Sequence, residues 1–192
     1  MSEHLQAQDV MKSYRLLGIG ATTLIGAQYG DELDYMAAAW AGVCDYDKGY
    51  AVVAGSHFTR KLIEKSGRFI ICYPTVGIVE QTMKLGTISM NDDKDKIKNS
   101  GAELFEAEGF SMPLVKGCAA WLEYEVIQDK HSDNPYEMFF GKCVRAMSDS
   151  RVYSNNHWNF DQAPDHLRTL HYVAGGHFFA IGKEIVLPQY EE

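Results

Sequence analysis

The chain has 192 residues, 46% of them hydrophobic, which is the length and composition of one globular domain with its own core. Its formal net charge of −8 argues against nucleic acid or an anionic membrane as a partner, because both require a basic protein face. The N-terminus lacks the basic and apolar regions of a signal peptide, and no apolar run approaches the roughly 18 residues that span a bilayer. We therefore expect a single domain over residues 1–192, located in the cytoplasm and without a membrane partner.

The four cysteines are widely spaced and form no CxxC pair. Three of them lie in apolar, strand-like runs, which predicts buried free thiols rather than disulfides or a metal site.

The first part of the chain predicts a lead-in segment followed by a hairpin. Residues 1–15 are polar, and the glycine pair at 18 and 20 is no dinucleotide fingerprint because Thr23 replaces the third glycine. Residues 22–27 predict a strand, the Gly30-Asp31 pair a turn, and residues 35–43 a return strand. The return strand carries three consecutive alanines from position 37. Such small side chains suit either a flat ligand lying on the strand or a tightly packed neighbouring element.

Residues 51–73 predict a strand, a two-turn helix and a second strand. Leu62 and Ile63 share one helical face, and Gly67 stands where a left-handed residue ends a helix. Ser56 and Thr59 are candidates for capping its start. Two hydroxyls and two cations near this start suit an anion, most naturally a phosphate. The alternative is an ordinary capped surface helix with solvated cations.

The second half of the chain predicts mostly strands. Residues 74–83 predict a short helix or an irregular crossing, 85–96 a charged, hydroxyl-rich loop, and 97–108 a helix that ends near Gly109. Residues 118–128 alternate in part and predict a half-exposed strand, with Glu123 and Glu125 facing solvent. The remaining predicted elements are a turn at 130–136, a strand at 138–147, a loop or extension at 148–167, a hairpin of 170–173 and 177–182, and a last strand within 184–192.

These elements predict a mainly β protein with a few helices. No alternating strand–helix run exists, so an antiparallel, Greek-key-like barrel or a sandwich is favoured over a doubly wound sheet.

Candidate catalytic groups are few. His166, His171 and His177 stand five and six residues apart, which is not a metal-ligand spacing, so we expect no metal. No nucleophile elbow and no acid–base pair is evident. This pattern is consistent with an enzyme whose cofactor supplies the chemistry, and we assign no catalytic side chain.

Five segments in register resemble the flavin reductase-like FMN-binding proteins of the flavoredoxin type. They are residues 34–42, 56–69, 85–97, 140–144 and 175–182, within a resemblance that covers roughly residues 16–185. The resemblance implies a split β-barrel that binds FMN at a homodimer interface.

The resemblance also implies which residues hold the cofactor. Those along the isoalloxazine ring would be Met36, Ala37, Ala38, Ala39 and Trp40. Those at the phosphate would be Ser56, Thr59, Arg60 and Lys61. The phosphate or pyrimidine side would be completed by Thr87, Ser89 and one of Lys94 and Lys96, and the ring would be covered by Phe178 or Phe179.

Two departures from the family pattern concern these contacts. Asp34 stands where the family has asparagine, and Ala37 where it has threonine. An aspartate near the pyrimidine edge or N5 would raise the proton affinity of the reduced flavin.

The expected function is that of an FMN-dependent oxidoreductase. NAD(P)H would reduce the bound flavin, which would pass electrons to a small-molecule or protein acceptor. The alternatives are an FMN-binding electron carrier without its own NAD(P)H activity, and a flavin-free structural relative.

Overall fold

The structure is a computed structural model, and it describes residues 9–12, 15–16, 18–127, 137–187 and 189. The predicted turn at 130–136 lies outside these residues, as do most of the lead-in segment and the end of the tail. In the described ranges, no helix is both long and apolar enough to cross a bilayer.

Thirteen strands and three α-helices make up the chain as described, together with four short 3-10 turns. The strands are β1 Thr23–Tyr29, β2 Glu32–Ala38, β3 Ala41–Asp45, β4 Lys48–Val52, β5 Arg68–Pro74, β6 Leu104–Phe105, β7 Leu114–Val115, β8 Cys118–Val126, β9 Met138–Ser148, β10 Tyr153–Ser154, β11 His157–Trp158, β12 Leu170–Ala174 and β13 His177–Ala180. The helices are α1 Phe58–Ser66, α2 Val79–Thr87 and α3 Lys96–Ser100.

Seven strands form one antiparallel sheet in the order β2-β1-β5-β8-β9-β4-β3. β2 and β3 follow each other in the chain but occupy opposite edges of the sheet, so the sheet curls to bring its edges together. The Trp40 carbonyl, between these two strands, accepts the Val52 N–H of β4 at 2.9 Å. The prediction of a mainly β split barrel is confirmed.

The curled sheet is covered on both faces. In β5, Phe69 and Ile71 face an inner core with α1, whereas Ile70 and Cys72 face an outer core beneath α2, β6 and β7. Tyr35 lies in the outer core, donates its hydroxyl to the Pro113 carbonyl at 2.8 Å, and has a pKa raised by burial. Burial on both faces explains why residues 69–73 are continuously apolar.

Helix α1 confirms the predicted helix but not its predicted caps. Leu62 and Ile63 are fully buried, and Gly67 ends the helix with φ 67°. The N-cap residue is His57, which makes no side-chain capping bond, so neither Ser56 nor Thr59 caps the helix. The N–H groups of its first turn therefore lack a side-chain acceptor from the N-cap.

Several predicted boundaries were wrong. The return strand at 35–43 is interrupted at residues 39–40, which separate β2 from β3. Residues 85–87 belong to α2 rather than to a loop, and the helix expected at 97–108 ends at Ser100. Residues 184–187 form no strand. The hairpin of β12 and β13 is confirmed.

Glu123 corrects the prediction for β8. Both Glu123 and Glu125 were expected to face solvent, but Glu123 is fully buried. Its carboxylate accepts a bond from Arg68 at 3.2 Å and one from the Ser111 N–H at 3.3 Å.

Residues 148–167, predicted as a loop or extension, contain regular secondary structure. β10 and β11 form a hairpin across Asn155 and Asn156, whose φ values of 52° and 60° are those of a type I′ turn.

All four cysteines are free, as predicted. Cys72 and Cys118 are buried, Cys143 is half-buried, and Cys44 is exposed.

Candidate functional site

A groove runs along β2 between α2 and the β12–β13 hairpin. It consists of two adjoining cavities of about 190 and 160 Å³, which share Ala37, Gly86 and Thr87. We call them the apolar half and the polar half. The apolar half reaches Tyr172 and Phe178 of the hairpin, and the polar half reaches α1 and α3.

The apolar half has a floor of small side chains. Ala37 and Ala38 line it from the end of β2, Ala39 lines it just after that strand, and Met83 lines it from α2. Gly86 completes this wall, and a Cβ added there would lie 2.9 Å from the Ala37 Cβ. The lack of bulk leaves room for a flat group against the strand.

Two aromatic rings bound the apolar half on the hairpin side. Tyr172 and Phe178 face each other across β12 and β13, with ring centroids 5.1 Å apart. Thr22 fixes the hairpin, because its N–H donates to the Leu170 carbonyl at 2.7 Å and its hydroxyl accepts the Tyr172 N–H at 2.9 Å.

Thr82 places a polar atom in the wall of the apolar half. Its side chain is fully buried, and its Oγ1 has no hydrogen-bond partner among the described residues. Buried hydroxyls are usually hydrogen-bonded. The hydroxyl is closed to solvent in the unliganded chain, so a ligand bond to it requires a small shift of Thr82 or of its neighbours.

A buried ion pair lies in the polar half. Lys96 Nζ is 2.8 Å from Asp34 Oδ1, and both side chains are almost fully buried. Thr59 donates its hydroxyl to Asp34 Oδ2 at 2.5 Å. The carboxylate thus joins β2 to the first turns of α1 and α3.

Two other hydroxyls line the polar half. Thr87 donates back to the Met83 carbonyl at 3.0 Å within α2. Ser89 Oγ accepts the Asn91 N–H at 3.1 Å, a contact that does not use its proton. His57 and Phe58, from the start of α1, complete the lining.

Two lysines flank Phe58 at the rim of the polar half. Lys94 Nζ lies 4.2 Å and Lys61 Nζ 5.7 Å from the centre of the Phe58 ring. Asn91 links this rim to α1, since its amide oxygen accepts from Lys61 at 3.2 Å and its amide nitrogen donates to the Ser56 carbonyl at 2.9 Å.

The remaining predicted site residues lie at the edges of the groove or away from it. Arg60 bonds Glu64 at 2.7 Å and the Val53 carbonyl at 2.8 Å, so its guanidinium is engaged on α1 and β4. Met36 lines the polar half and packs on the inner core. Trp40 follows the alanines and is 52% exposed. Phe178 lines the groove, and Phe179 is exposed.

The sequence prediction missed several lining residues. They are Thr22, His57, Phe58, Thr82, Met83, Gly86 and Tyr172. Tyr172 had a usable signal, because it lies opposite Phe178 in a hairpin that was predicted. Thr82 had none, because residues 74–83 were predicted as a short helix or an irregular crossing, with no signal that placed them beside β2.

The family model for the flavin reductase like domain matches residues 19–176. The chain therefore belongs to the flavin reductase-like family.

Individual relatives agree with this assignment. The uncharacterized protein YddH of Escherichia coli K12 is 34% identical over 176 residues, which are 89% of this chain and 92% of that protein. An FMN-binding domain of a flavin reductases-like enzyme from Shewanella baltica has 39% identity and a TM-score of 0.84, covering 95% and 96% of the two chains. Flavoredoxin from Methanosarcina acetivorans, at 19% identity and a TM-score of 0.73 with 98% and 97% coverage, shares the fold.

Proposed function

We propose that the protein is an FMN-binding oxidoreductase that takes electrons from NAD(P)H and passes them to a small-molecule or protein acceptor. The observation that carries this proposal is a groove with an apolar, flat-floored half and a polar half beside an uncapped helix start. FMN has the same division, with an apolar tricyclic ring at one end and a phosphate at the other.

The residues that line the two halves of the groove fit the two ends of FMN, its ring and its phosphate. Ala37, Ala38 and Ala39 would lie against the ring, with Phe178 covering it and Thr82 bonding one of its polar atoms. The phosphate would lie near the start of α1, where first-turn N–H groups and the lysines at the rim favour an anion. When bound, FMN supplies the capacity to accept a hydride and release electrons singly or in pairs.

In the groove, the protein would orient the flavin and exclude water from its inner face. Acidic or basic catalysis by a side chain is not required for hydride transfer between two cofactors, and positioning is the protein's main contribution.

The proposed assembly is a homodimer. Phe140 and Val144, both on strand β9, are 45% and 38% exposed in the single chain. Exposed apolar side chains close together on a sheet often belong to an interface. Sedimentation of the purified protein would give a dimer mass, and Val144→Glu would shift it toward the monomer.

The experiment that tests the function is anaerobic mixing of FMN-loaded protein with NADH and, separately, with NADPH. Loss of the visible flavin absorption during mixing, faster than for free FMN, is the expected result. A flavin-loaded protein that neither nucleotide reduces would instead be an electron carrier. A protein that takes up no FMN would be a flavin-free relative. A cytoplasmic location remains a prediction from the sequence.

A further inference from the structure

The buried ion pair of Asp34 and Lys96 affects how strongly the groove recognises the phosphate of a flavin. This inference rests on the proposed function and concerns the phosphate end of the site. A lysine and a threonine that line the polar half are both engaged by one carboxylate.

Each oxygen of Asp34 lies beside one group that lines the polar half, Oδ1 beside the Lys96 ammonium and Oδ2 beside the Thr59 hydroxyl. The contact of Oδ1 with Lys96 is an ion pair, and Oδ1 has no hydrogen bond among the described residues. Lys96 lies 2.8 Å from Oδ1, which balances its charge inside the protein. Thr59 has a single hydroxyl proton and donates it to Oδ2 at 2.5 Å, so it has none for a ligand oxygen. The short distance is that of a charge-assisted bond.

The other candidate donors of the polar half are few. Thr87 directs its proton to the Met83 carbonyl, and Arg60 is held by Glu64 and Val53. The cations that remain next to the groove are Lys61 and Lys94, both solvent-accessible and both over the Phe58 ring. Each is placed to turn toward an anion at the start of α1.

We infer that Asp34 is a specificity-determining residue: it neutralises Lys96 and engages Thr59, so recognition of the flavin phosphate depends on Lys61 and Lys94 at the rim. Asp34 acts through its two partners and is a positioning residue, not a catalytic one. The groove should therefore bind riboflavin, which has the same ring without the phosphate, and its preference for FMN should come mainly from the two rim lysines, added to the N–H groups at the start of α1.

The test measures the dissociation constants of FMN and riboflavin by quenching of flavin fluorescence at pH 7. Their ratio, riboflavin over FMN, reports phosphate recognition and cancels effects on the ring. Lys61→Met with Lys94→Met should lower the ratio about 10-fold or more, because two charge-assisted contacts are lost. Lys116→Met with Lys142→Met makes the same change in net charge at exposed positions that do not line the groove and should leave the ratio within about twofold.

The buried pair is tested by changing its charge in both directions. Asp34→Asn leaves Lys96 uncompensated and should raise the ratio about threefold or more, whereas Lys96→Gln should lower it by a similar factor. The double variant D34N/K96Q is neutral again and should return to the wild-type ratio. The ratios of the wild type and these three variants would then follow the net charge of the pair at positions 34 and 96. A merely structural role of Asp34 would not produce this dependence.

A ratio that is insensitive to the two rim lysines would overturn the inference, since the phosphate would then be held elsewhere. So would an Asp34→Asn variant with a lower ratio than the wild type. The lysine variants are at exposed positions and decide the question even where a buried-pair variant does not fold. A wild-type protein that binds neither flavin would contradict the proposed function instead.

Discussion

Gly86 of α2 and Ala37 of β2 lie against each other so closely that a Cβ added to the glycine would be 2.9 Å from the alanine Cβ. The contact occurs where the two halves of the groove meet. It fixes the distance between the helix and the strand, and therefore the width available to a flat ligand.

Replacing Gly86 with alanine is expected to destabilise the protein, contrary to the usual effect of this change within a helix. Helix propensity alone would add about 0.5–1 kcal/mol of stability. Overpacking against Ala37 costs about 1–3 kcal/mol, so the net loss should be about 1 kcal/mol. Urea denaturation measures this loss in the free energy of unfolding.

The control is Gly182→Ala, whose added Cβ meets nothing within 4 Å and which should change stability by less than about 0.5 kcal/mol. A more stable Gly86→Ala variant would mean that the helix and strand are not in contact.

Thr82→Val is expected to act in opposite directions on stability and on flavin affinity. The change keeps the shape of the side chain and removes a buried hydroxyl that has no partner in the described chain. The unliganded protein should gain about 1 kcal/mol, while FMN affinity should fall about fivefold as a ligand bond is lost. The control is Thr75→Val, because Thr75 is equally buried but donates to the Gly117 carbonyl at 2.7 Å, and its loss should destabilise the protein. Equal effects of the two variants on unfolding would contradict the assignment of Thr82.

Glu123 and Glu125 bond the same arginine but should differ greatly in their contribution to stability. Glu123 is fully buried and its partner Arg68 is partly exposed, whereas the Glu125 side chain is 51% exposed. Glu123→Gln should lower the free energy of unfolding by about 2–3 kcal/mol because Arg68 and the Ser111 N–H lose a charged, buried acceptor. Glu125→Gln should lower it by about 0.5 kcal/mol, since exposed ion pairs contribute little. Chemical denaturation of the two variants gives the comparison, and equal losses would count against the burial of Glu123.

Stability should decline above pH 10, and Tyr124 should contribute to the decline. Burial raises the pKa of Tyr124 well above its ordinary value of 10.0. The unfolded chain therefore releases this proton first, so the stabilisation is complete below pH 10 and is lost as pH rises toward the folded pKa. At half a pH unit above the unfolded pKa, the loss from this residue is about 0.8 kcal/mol. The midpoint of urea unfolding should fall less steeply with rising pH for Tyr124→Phe than for the wild type. Tyr46→Phe, which changes an exposed tyrosine, is the control and should behave like the wild type. Parallel plots of midpoint against pH for all three proteins would exclude Tyr124 as a contributor.

The sequence predicted correctly those elements whose conformation depends on residues close together in the chain. Helix α1, its glycine stop and strand β5 follow from side-chain periodicity and from one residue that accepts a positive φ. The closing hairpin follows from two adjacent glycines between apolar runs. In each case the signal lies within about twenty residues of the chain.

Contacts between distant residues could not be predicted in this way. Glu123 alternates like a solvent-facing residue, but it is buried in the folded chain, where its carboxylate accepts the N–H of Ser111 from a separate segment. The pairing of Asp34 with Lys96 joins residues that are far apart in the sequence, so the sequence left the choice between Lys94 and Lys96 open. The interruption of the return strand at residues 39–40 lacks a glycine or proline and results from the curling of the sheet.

The site prediction had a corresponding limit. The alanines of β2 and Phe178 were proposed for the ring, and they do line one cavity. Among the residues proposed for the phosphate, the sequence could not indicate which hydroxyls and cations are already engaged within the protein. That depends on three-dimensional partners such as Asp34 and Glu64.

The central claim is that the groove along β2 holds FMN. The most direct test is the visible absorption spectrum of the purified protein after incubation with FMN and removal of free ligand by desalting, with Ala39→Trp as a blocking variant, because Ala39 lines the apolar half and belongs to neither core. We expect the flavin bands to remain with the wild-type protein at close to one flavin per chain and to be absent from a folded Ala39→Trp variant. A wild-type spectrum without flavin bands, or bands of equal intensity in both proteins, would contradict the claim.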